Sequence, residues 1–160
     1  PPVRYGYHGL GELFVGLNMG PVMVAGTSAA LTGSFSERDL LVSIPIAIMV
    51  AFILFYQSLS DIEDDLAAGK YTLAVRLGHG KAIWGVRLFY SAAVLSMVTL
   101  AGFKMISPVA CLSVFTLLIA GKIDKLICGT NDWVQLHDKG GKVRLFYLLN
   151  GFLLIASVLI

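Results

Sequence analysis

The chain is predicted to fold as an all-α, multi-span bundle of transmembrane helices, and three observations predict it. Hydrophobic residues make up 57% of its 160 residues and charged residues 14%, whereas roughly a quarter of residues carry charge in soluble domains; mean hydropathy is +0.81. The apolar residues gather into runs near the length of about 20 residues that an α-helix needs to cross a bilayer. Charged residues gather between those runs, and the cations fall almost wholly on alternate connections.

Five spans follow in order. The first runs from about Leu13 to Leu31 and contains no charge, with Gly16, Gly20, Pro21 and Gly26 interrupting it, as membrane helices tolerate. The second runs from Leu40 to Ser58 with Pro45 near its start, the third from Ala82 to Phe103, the fourth from Ile106 to Gly121 and the fifth from Leu145 to Ile160. Gly26, Ser28, Ala29 and Ala30 are small enough to suit close helix packing.

With five crossings, Arg4, Lys70, Arg76, Lys81, Arg87, Lys122, Lys125, Lys139, Lys142 and Arg144 share one side, and only Arg38 and Lys104 lie on the other. The positive-inside rule makes the first side cytoplasmic. The expectation is therefore a multi-pass protein of the cell membrane, surrounded by lipid, with the Asp61 loop facing the cytoplasm. A net charge of +2 supplies no global basic field, so a nucleic-acid partner is not expected. Two cysteines, Cys111 and Cys128, are too few for a disulfide framework and are expected to be free thiols. Residues 1–160 read as one domain without internal repeats. The chain opens on Pro-Pro without methionine and stops inside an apolar run, and a bundle enclosing a long lipid needs more helices than these. A portion of a longer polypeptide is expected. The polar connection G-T-N-D-W-V-Q-L-H-D-K-G-G-K holds Trp133, which suits an interfacial anchor.

The segment D-I-E-D-D-L-A-A-G-K-Y-T-L-A-V-R-L-G, from Asp61 to Gly78, is the unusual one. It packs four carboxylates and two cations between apolar runs. Asp61 and Asp65 fall four apart, on one face of a helix. Asp64 is a possible auxiliary, whereas Glu63 points elsewhere. Magnesium is typically held by one or two carboxylates together with substrate phosphates, so this pair suits a metal-bound diphosphate, with Lys70 and Arg76 holding the remaining charge. An apolar cavity would then keep water from a carbocation. A solvated acidic loop is the plainer alternative. The order of events argues against it: an apolar helix ends in Tyr56 and Gln57, carboxylates follow at helical spacing, then Gly69-Lys70 and Arg76-Leu77-Gly78 precede the next span.

The segment Y-Q-S-L-S-D-I-E-D-D-L-A-A-G-K-Y-T-L-A-V-R-L-G closely resembles the second aspartate-rich motif of the UbiA superfamily of intramembrane prenyltransferases. The opening P-P-V-R-Y-G-Y-H-G-L-G-E-L-F-V-G-L-N-M-G-P-V is similar to the start of the second half of that fold, as in 1,4-dihydroxy-2-naphthoate polyprenyltransferases of menaquinone synthesis. The resemblance implies five helices forming the second half of a nine-helix bundle. It implies an enzyme that moves a polyprenyl group from its diphosphate to an aromatic acceptor, 1,4-dihydroxy-2-naphthoate being favoured over 4-hydroxybenzoate and the other acceptors of the family. Asp61 and Asp65 would be catalytic and bind Mg2+, with Asp64 beside them. Lys70 and Arg76 would contact diphosphate or brace the loop.

Gln57 stands where naphthoate-type members often carry asparagine, and Ser60 where many carry arginine. Tyr56 and Gln57 are thus candidates for substrate contact. Tyr5, His8 and Glu12 lie at the expected mouth and are candidates to orient the acceptor. Each has a plainer reading: Tyr5 and Tyr56 suit interfacial anchors, His8 a loop histidine, and Glu12 a carboxylate at the positive end of a helix. The family's first aspartate-rich motif has no match here, so the missing N-terminal half is the implied partner and the isolated chain is expected to be inactive. A transport or structural membrane subunit is the rival from another class. It is disfavoured because ion-conducting carboxylates lie within the membrane, whereas these follow the apolar run.

Overall fold

The computed structural model describes residues 4–130, 133–136 and 139–160. Pro1, Pro2 and Val3 of the opening run, and Asn131, Asp132, His137 and Asp138 of the polar connection, lie outside the described residues. Among those described, the chain is helical and has no strand. The helices are α1 (Gly11–Leu17), α2 (Met23–Thr32), α3 (Glu37–Val42), α4 (Ile44–Ser58), α5 (Ile62–Ala67), α6 (Leu73–Gly102), α7 (Leu117–Cys128) and α8 (Gly141–Leu159). Among the described residues four stretches are long and apolar enough to cross a membrane: Gly11–Thr32, Glu37–Ser58, Leu73–Gly102 and Val134–Leu159.

The first of these is continuous because a π-helical turn, Asn18–Val22, joins α1 to α2 around Pro21. Proline has no N–H and its ring crowds the carbonyl four residues back; a π turn is a single-turn device that takes up such a misfit inside a helix. Gly16 and Gly20, a G-x-x-x-G pair, bring this helix onto α4. A Cβ on Gly16 would stand 2.8 Å from the Ala47 carbonyl oxygen, and one on Gly20 would stand 2.7 Å from Ala47 Cβ. The close approach expected at Gly26 is therefore corrected: nothing lies within 4 Å of a Cβ there. It occurs one helical stretch earlier, where backbones meet.

The expected crossing from Ile106 to Gly121 is also built differently. A 3-10 helix, Pro108–Thr116, leads into α7. Its buried residues, Ala110, Ser113 and Thr116, recur every third position, which places them on one face only in a helix of three residues per turn. At about 2.0 Å per residue the nine-residue 3-10 stretch covers about 18 Å. The uncharged start of α7 as far as Gly121 adds roughly 7 Å. This segment approaches the apolar thickness of a bilayer with fewer residues than an α-helix would need.

Helix α4 sits at the centre, packed on α1, α6 and α8. Met49, Phe52, Phe55, Tyr56, Leu59, Val86, Ala93 and Phe146 form the main core, and Met97, Leu100, Ile106, Ala110 and Leu154 a second one nearer the Lys104 end. Gly85 is required by this packing, since a Cβ there would lie 2.5 Å from Phe55 Cζ. Two polar links join spans, the first buried and the second partly exposed. Asn150 Nδ2 of α8 donates to Thr116 Oγ1 at 3.0 Å, and Arg87 of α6 pairs with Asp124 of α7 at 2.9 Å. Cys111 and Cys128 are exposed free thiols.

Candidate active site

At one end of the bundle three short pieces meet: the 3-10 turn Tyr5–His8, helix α5, and the connection from Ala68 to Thr72. Helix α4 ends at Ser58, and the chain passes through turns to Asp61, the N-terminal flanking residue of α5. The Asp65 N–H donates to the Asp61 carbonyl at 2.8 Å, so the two aspartates are one helical turn apart, as their spacing predicts. Asp61 is exposed and Asp65 partly buried. Gly69, in the left-handed region at φ 68°, reverses the chain so that the Lys70 N–H reaches the Asp65 carbonyl at 2.8 Å and the Lys70 ammonium reaches Asp65 Oδ1 at 3.1 Å. That hydrogen bond and the Asp65 charge, with smaller contributions from Tyr7 and Asp61, hold Lys70 above the ordinary lysine range.

The opening turn is seated on this connection. The Tyr71 N–H donates to the Tyr7 carbonyl at 3.0 Å. Gly9, at φ 72°, lies so near Arg76 that a Cβ would stand 2.8 Å from its Nε. Arg76 Nε donates to the Tyr71 carbonyl at 3.0 Å. Of the two roles expected for Arg76, this contact is the bracing one. Glu12, in the first turn of α1, is 5% exposed, with Asp65 as a charged neighbour. Its Oε2 is buried and has no hydrogen-bond partner among the described residues.

The rim thus brings together Asp61, Asp65, Lys70, Arg76 and Glu12. His8 is exposed on the same turn. Tyr5 instead packs its ring 4.7 Å from that of Phe14. Gln57 and Tyr56 face another cavity, of about 150 Å³, with Val143 and Arg144. Tyr56 is 3% exposed and its hydroxyl donates to the Leu136 carbonyl at 3.1 Å, so it is a core residue rather than an interfacial one. Asp64 lines a cavity of about 360 Å³ with Glu63, Ser60 and His79. Trp133 lines that cavity and stacks on His79, centroids 4.4 Å apart. The Ser60 hydroxyl lies 2.7 Å from the Gln57 carbonyl and 3.2 Å from Asp61 Oδ1.

Two residues of the rim carried no site expectation. The Tyr7 ring has the Arg4 guanidinium at 5.3 Å and the Lys70 ammonium at 5.9 Å from its centroid. The R-Y-G-Y run, with a cation three residues before an aromatic, was the available signal.

Among the described residues no three carboxylate, imidazole or thiol groups converge to hold a metal unaided. The donor set nevertheless suits a hard cation. Asp61 and Asp65 offer oxygens one turn apart, and the buried Glu12 Oε2 near Asp65 has no hydrogen-bond partner among the described residues. A cation that keeps waters and takes substrate phosphates needs no closed protein cage.

A helical bundle with membrane-length spans, carrying carboxylates and cations at one end, defines an integral membrane protein. The chain belongs to the UbiA prenyltransferase family, which residues 2–130 match. It is 45% identical over 78 residues to a 2-carboxy-1,4-naphthoquinone phytyltransferase of Synechocystis sp., covering 49% of this chain and 25% of that protein. It is 35% identical over 107 residues to a 1,4-dihydroxy-2-naphthoate octaprenyltransferase of Bacillus subtilis, covering 67% and 34%. It is 32% identical over 157 residues to a chloroplastic 2-carboxy-1,4-naphthoquinone phytyltransferase of Arabidopsis thaliana, covering 89% and 38%. The chain therefore spans between a quarter and two fifths of the length of these relatives. No solved structure matches it.

Proposed function

We propose that this chain supplies half of the active site of a magnesium-dependent membrane prenyltransferase, which moves a polyprenyl group from its diphosphate to 1,4-dihydroxy-2-naphthoate on the cytoplasmic side of the membrane. The other half would come from the N-terminal part of the same fold. The observation that carries the proposal is the rim itself, with Asp61 and Asp65 one turn apart and Lys70 paired to Asp65 at 3.1 Å. Family membership and the names of the relatives support the reaction class and the naphthoate acceptor.

Asp61 and Asp65 would hold Mg2+, which when bound supplies positive charge against the diphosphate leaving group. Lys70 holds a positive charge at the same rim, and its ion pair with Asp65 keeps both side chains in place before substrate arrives. Arg76 fixes the connection on which Lys70 sits. The apolar interior of the bundle gives the prenyl chain a water-poor place to lie, so the reacting carbon meets the acceptor before water.

The test uses the full-length protein in membranes, incubated with labelled prenyl diphosphate and each candidate acceptor. Prenylated naphthoate is expected, and only with magnesium present. Transfer to 4-hydroxybenzoate alone would overturn the acceptor assignment, and no transfer to any acceptor would overturn the reaction class.

A further inference from the structure

We propose that Arg4 is a cation of the prenyl diphosphate site, held there by the ring of Tyr7, so that the turn Tyr5–His8 forms part of the substrate-binding rim. The assignment rests on the prenyl-transfer reading above and adds to it a binding residue and a positioning residue.

The first observation is a shared ring. The Arg4 guanidinium and the Lys70 ammonium both lie within 6 Å of the Tyr7 centroid. Each is attracted to the electron-rich face, yet the two charges repel one another. Lys70 is compensated by Asp65 at 3.1 Å. Among the described residues, Arg4 has no carboxylate within ion-pair distance. Arg76 has none either, and only its Nε is engaged, by the Tyr71 carbonyl. The rim therefore gathers two exposed guanidinium groups, neither in an ion pair among the described residues, beside a lysine and the two aspartates expected to bind metal.

The second observation is that the turn carrying Arg4 is pinned. The Tyr7 N–H donates to the Arg4 carbonyl at 2.8 Å, the Leu10 N–H to the Tyr5 carbonyl at 3.2 Å, and the Tyr71 N–H to the Tyr7 carbonyl at 3.0 Å. Gly9 takes a left-handed φ of 72° and leaves no room for a side chain against Arg76. Such a seat fixes where the Arg4 backbone leaves the rim, and the Tyr7 ring then directs its side chain. A guanidinium presents a planar fork that matches two phosphate oxygens at once. A diphosphate placed between Asp61, Lys70 and Arg76 supplies the negative charge that Arg4 lacks.

The experiment uses full-length protein and reads three quantities: KM for prenyl diphosphate, KM for the acceptor, and the inhibition constant of inorganic diphosphate with magnesium. Arg4→Gln is expected to raise the first and third about tenfold, the loss of a charge-assisted hydrogen bond, and to leave acceptor KM unchanged. Arg4→Lys, which keeps the charge without the fork, should fall between. Tyr7→Leu should raise diphosphate KM roughly two- to fivefold, the effect of a lost cation–π contact, and Tyr7→Phe, which keeps the ring, should raise it less. Melting in detergent should be unchanged for Arg4→Gln, which separates binding from folding. An active wild type with unaltered constants in Arg4→Gln overturns the Arg4 assignment alone. A wild type that transfers no prenyl group and is not inhibited by diphosphate overturns the prenyl-transfer reading, and this assignment with it.

Discussion

The two ends of the α4–α6 pair are both polar, yet they use their polar groups in opposite ways. At the Lys104 end, side chains are consumed by backbone. Ser36 and Asp39 form a reciprocal capping box at the start of α3, the Ser28 hydroxyl donates to Asp39 at 3.0 Å, and Arg38 donates through two nitrogens to the Met105 carbonyl at 3.1 and 2.8 Å. These contacts satisfy the unpaired ends of helices. At the Asp61 end Lys70, Arg76 and Ser60 are engaged by Asp65 and by backbone carbonyls, but other side chains are left over. Among the described residues, Arg4 has no carboxylate partner, Glu12 Oε2 has no hydrogen bond, and the Asp61 side chain hydrogen-bonds only to Ser60. Arg4 and Asp61 are exposed to water, but a buried polar oxygen without a partner, such as Glu12 Oε2, is expensive unless a ligand completes it. The buried, unpartnered Glu12 oxygen beside the aspartate pair is why the Asp61 end is proposed as the working one.

Breaking the comparison at its working end should have the largest effect. Asp61→Ala in the full-length protein is expected to lower prenyl transfer at least about a hundredfold, the scale on which single electrostatic contributors to a transition state are felt. Because Asp61 is exposed and makes no side-chain cap to α5, the melting temperature in detergent should not move. Full activity in this variant would sink the assignment of the rim. Gly85→Val attacks the frame that both ends share. Its Cβ would collide with Phe55, and overpacking of this kind costs about 1–3 kcal/mol, read as a lowered melting temperature with diphosphate KM preserved in the surviving protein. Ser36→Ala belongs to the Lys104 end. Loss of the cap should cost about 1 kcal/mol of stability, with no change in either KM. A shift in diphosphate KM there would erase the distinction between the ends.

The aspartate pair was legible because helical periodicity is local: four residues of separation make one turn whatever surrounds them. The first two spans were legible for the same reason, since length and hydropathy need no partner, whereas the third begins at Leu73, nine residues before the expected Ala82, because its first turns carry Arg76 and Lys81. What escaped depended on contact across the fold. Arg4 and Tyr7 joined the rim because Gly9 turns the chain onto Tyr71 and Arg76, some sixty positions later. The close helix approach fell at Gly16 and Gly20 because Ala47 faces them, although the G-x-x-x-G spacing was in view as an interruption of the first span. The three-residue spacing of Ala110, Ser113 and Thr116 was also present. It yielded to the assumption that a crossing must be α-helical, and only the packing of that face on α8 and α6 shows the tighter winding.

The smallest effect is expected in the interior, between the ends. Asn150 is fully buried, and its amide donates to Thr116 Oγ1 at 3.0 Å and to the Phe146 carbonyl at 2.8 Å. In water-free surroundings such a link invites the expectation of a large contribution. The unfolded helices in a membrane also find polar partners, so interhelical hydrogen bonds contribute only about 0.6 kcal/mol on average. A double-mutant cycle of Asn150→Leu and Thr116→Val, read by unfolding in mixed detergent micelles, should give a coupling near that value. Both KM values should stay put, because neither side chain reaches the rim. A coupling several times larger, together with a shift in diphosphate KM, would mean that the interior link holds the working end in place, and the two ends would no longer be separable.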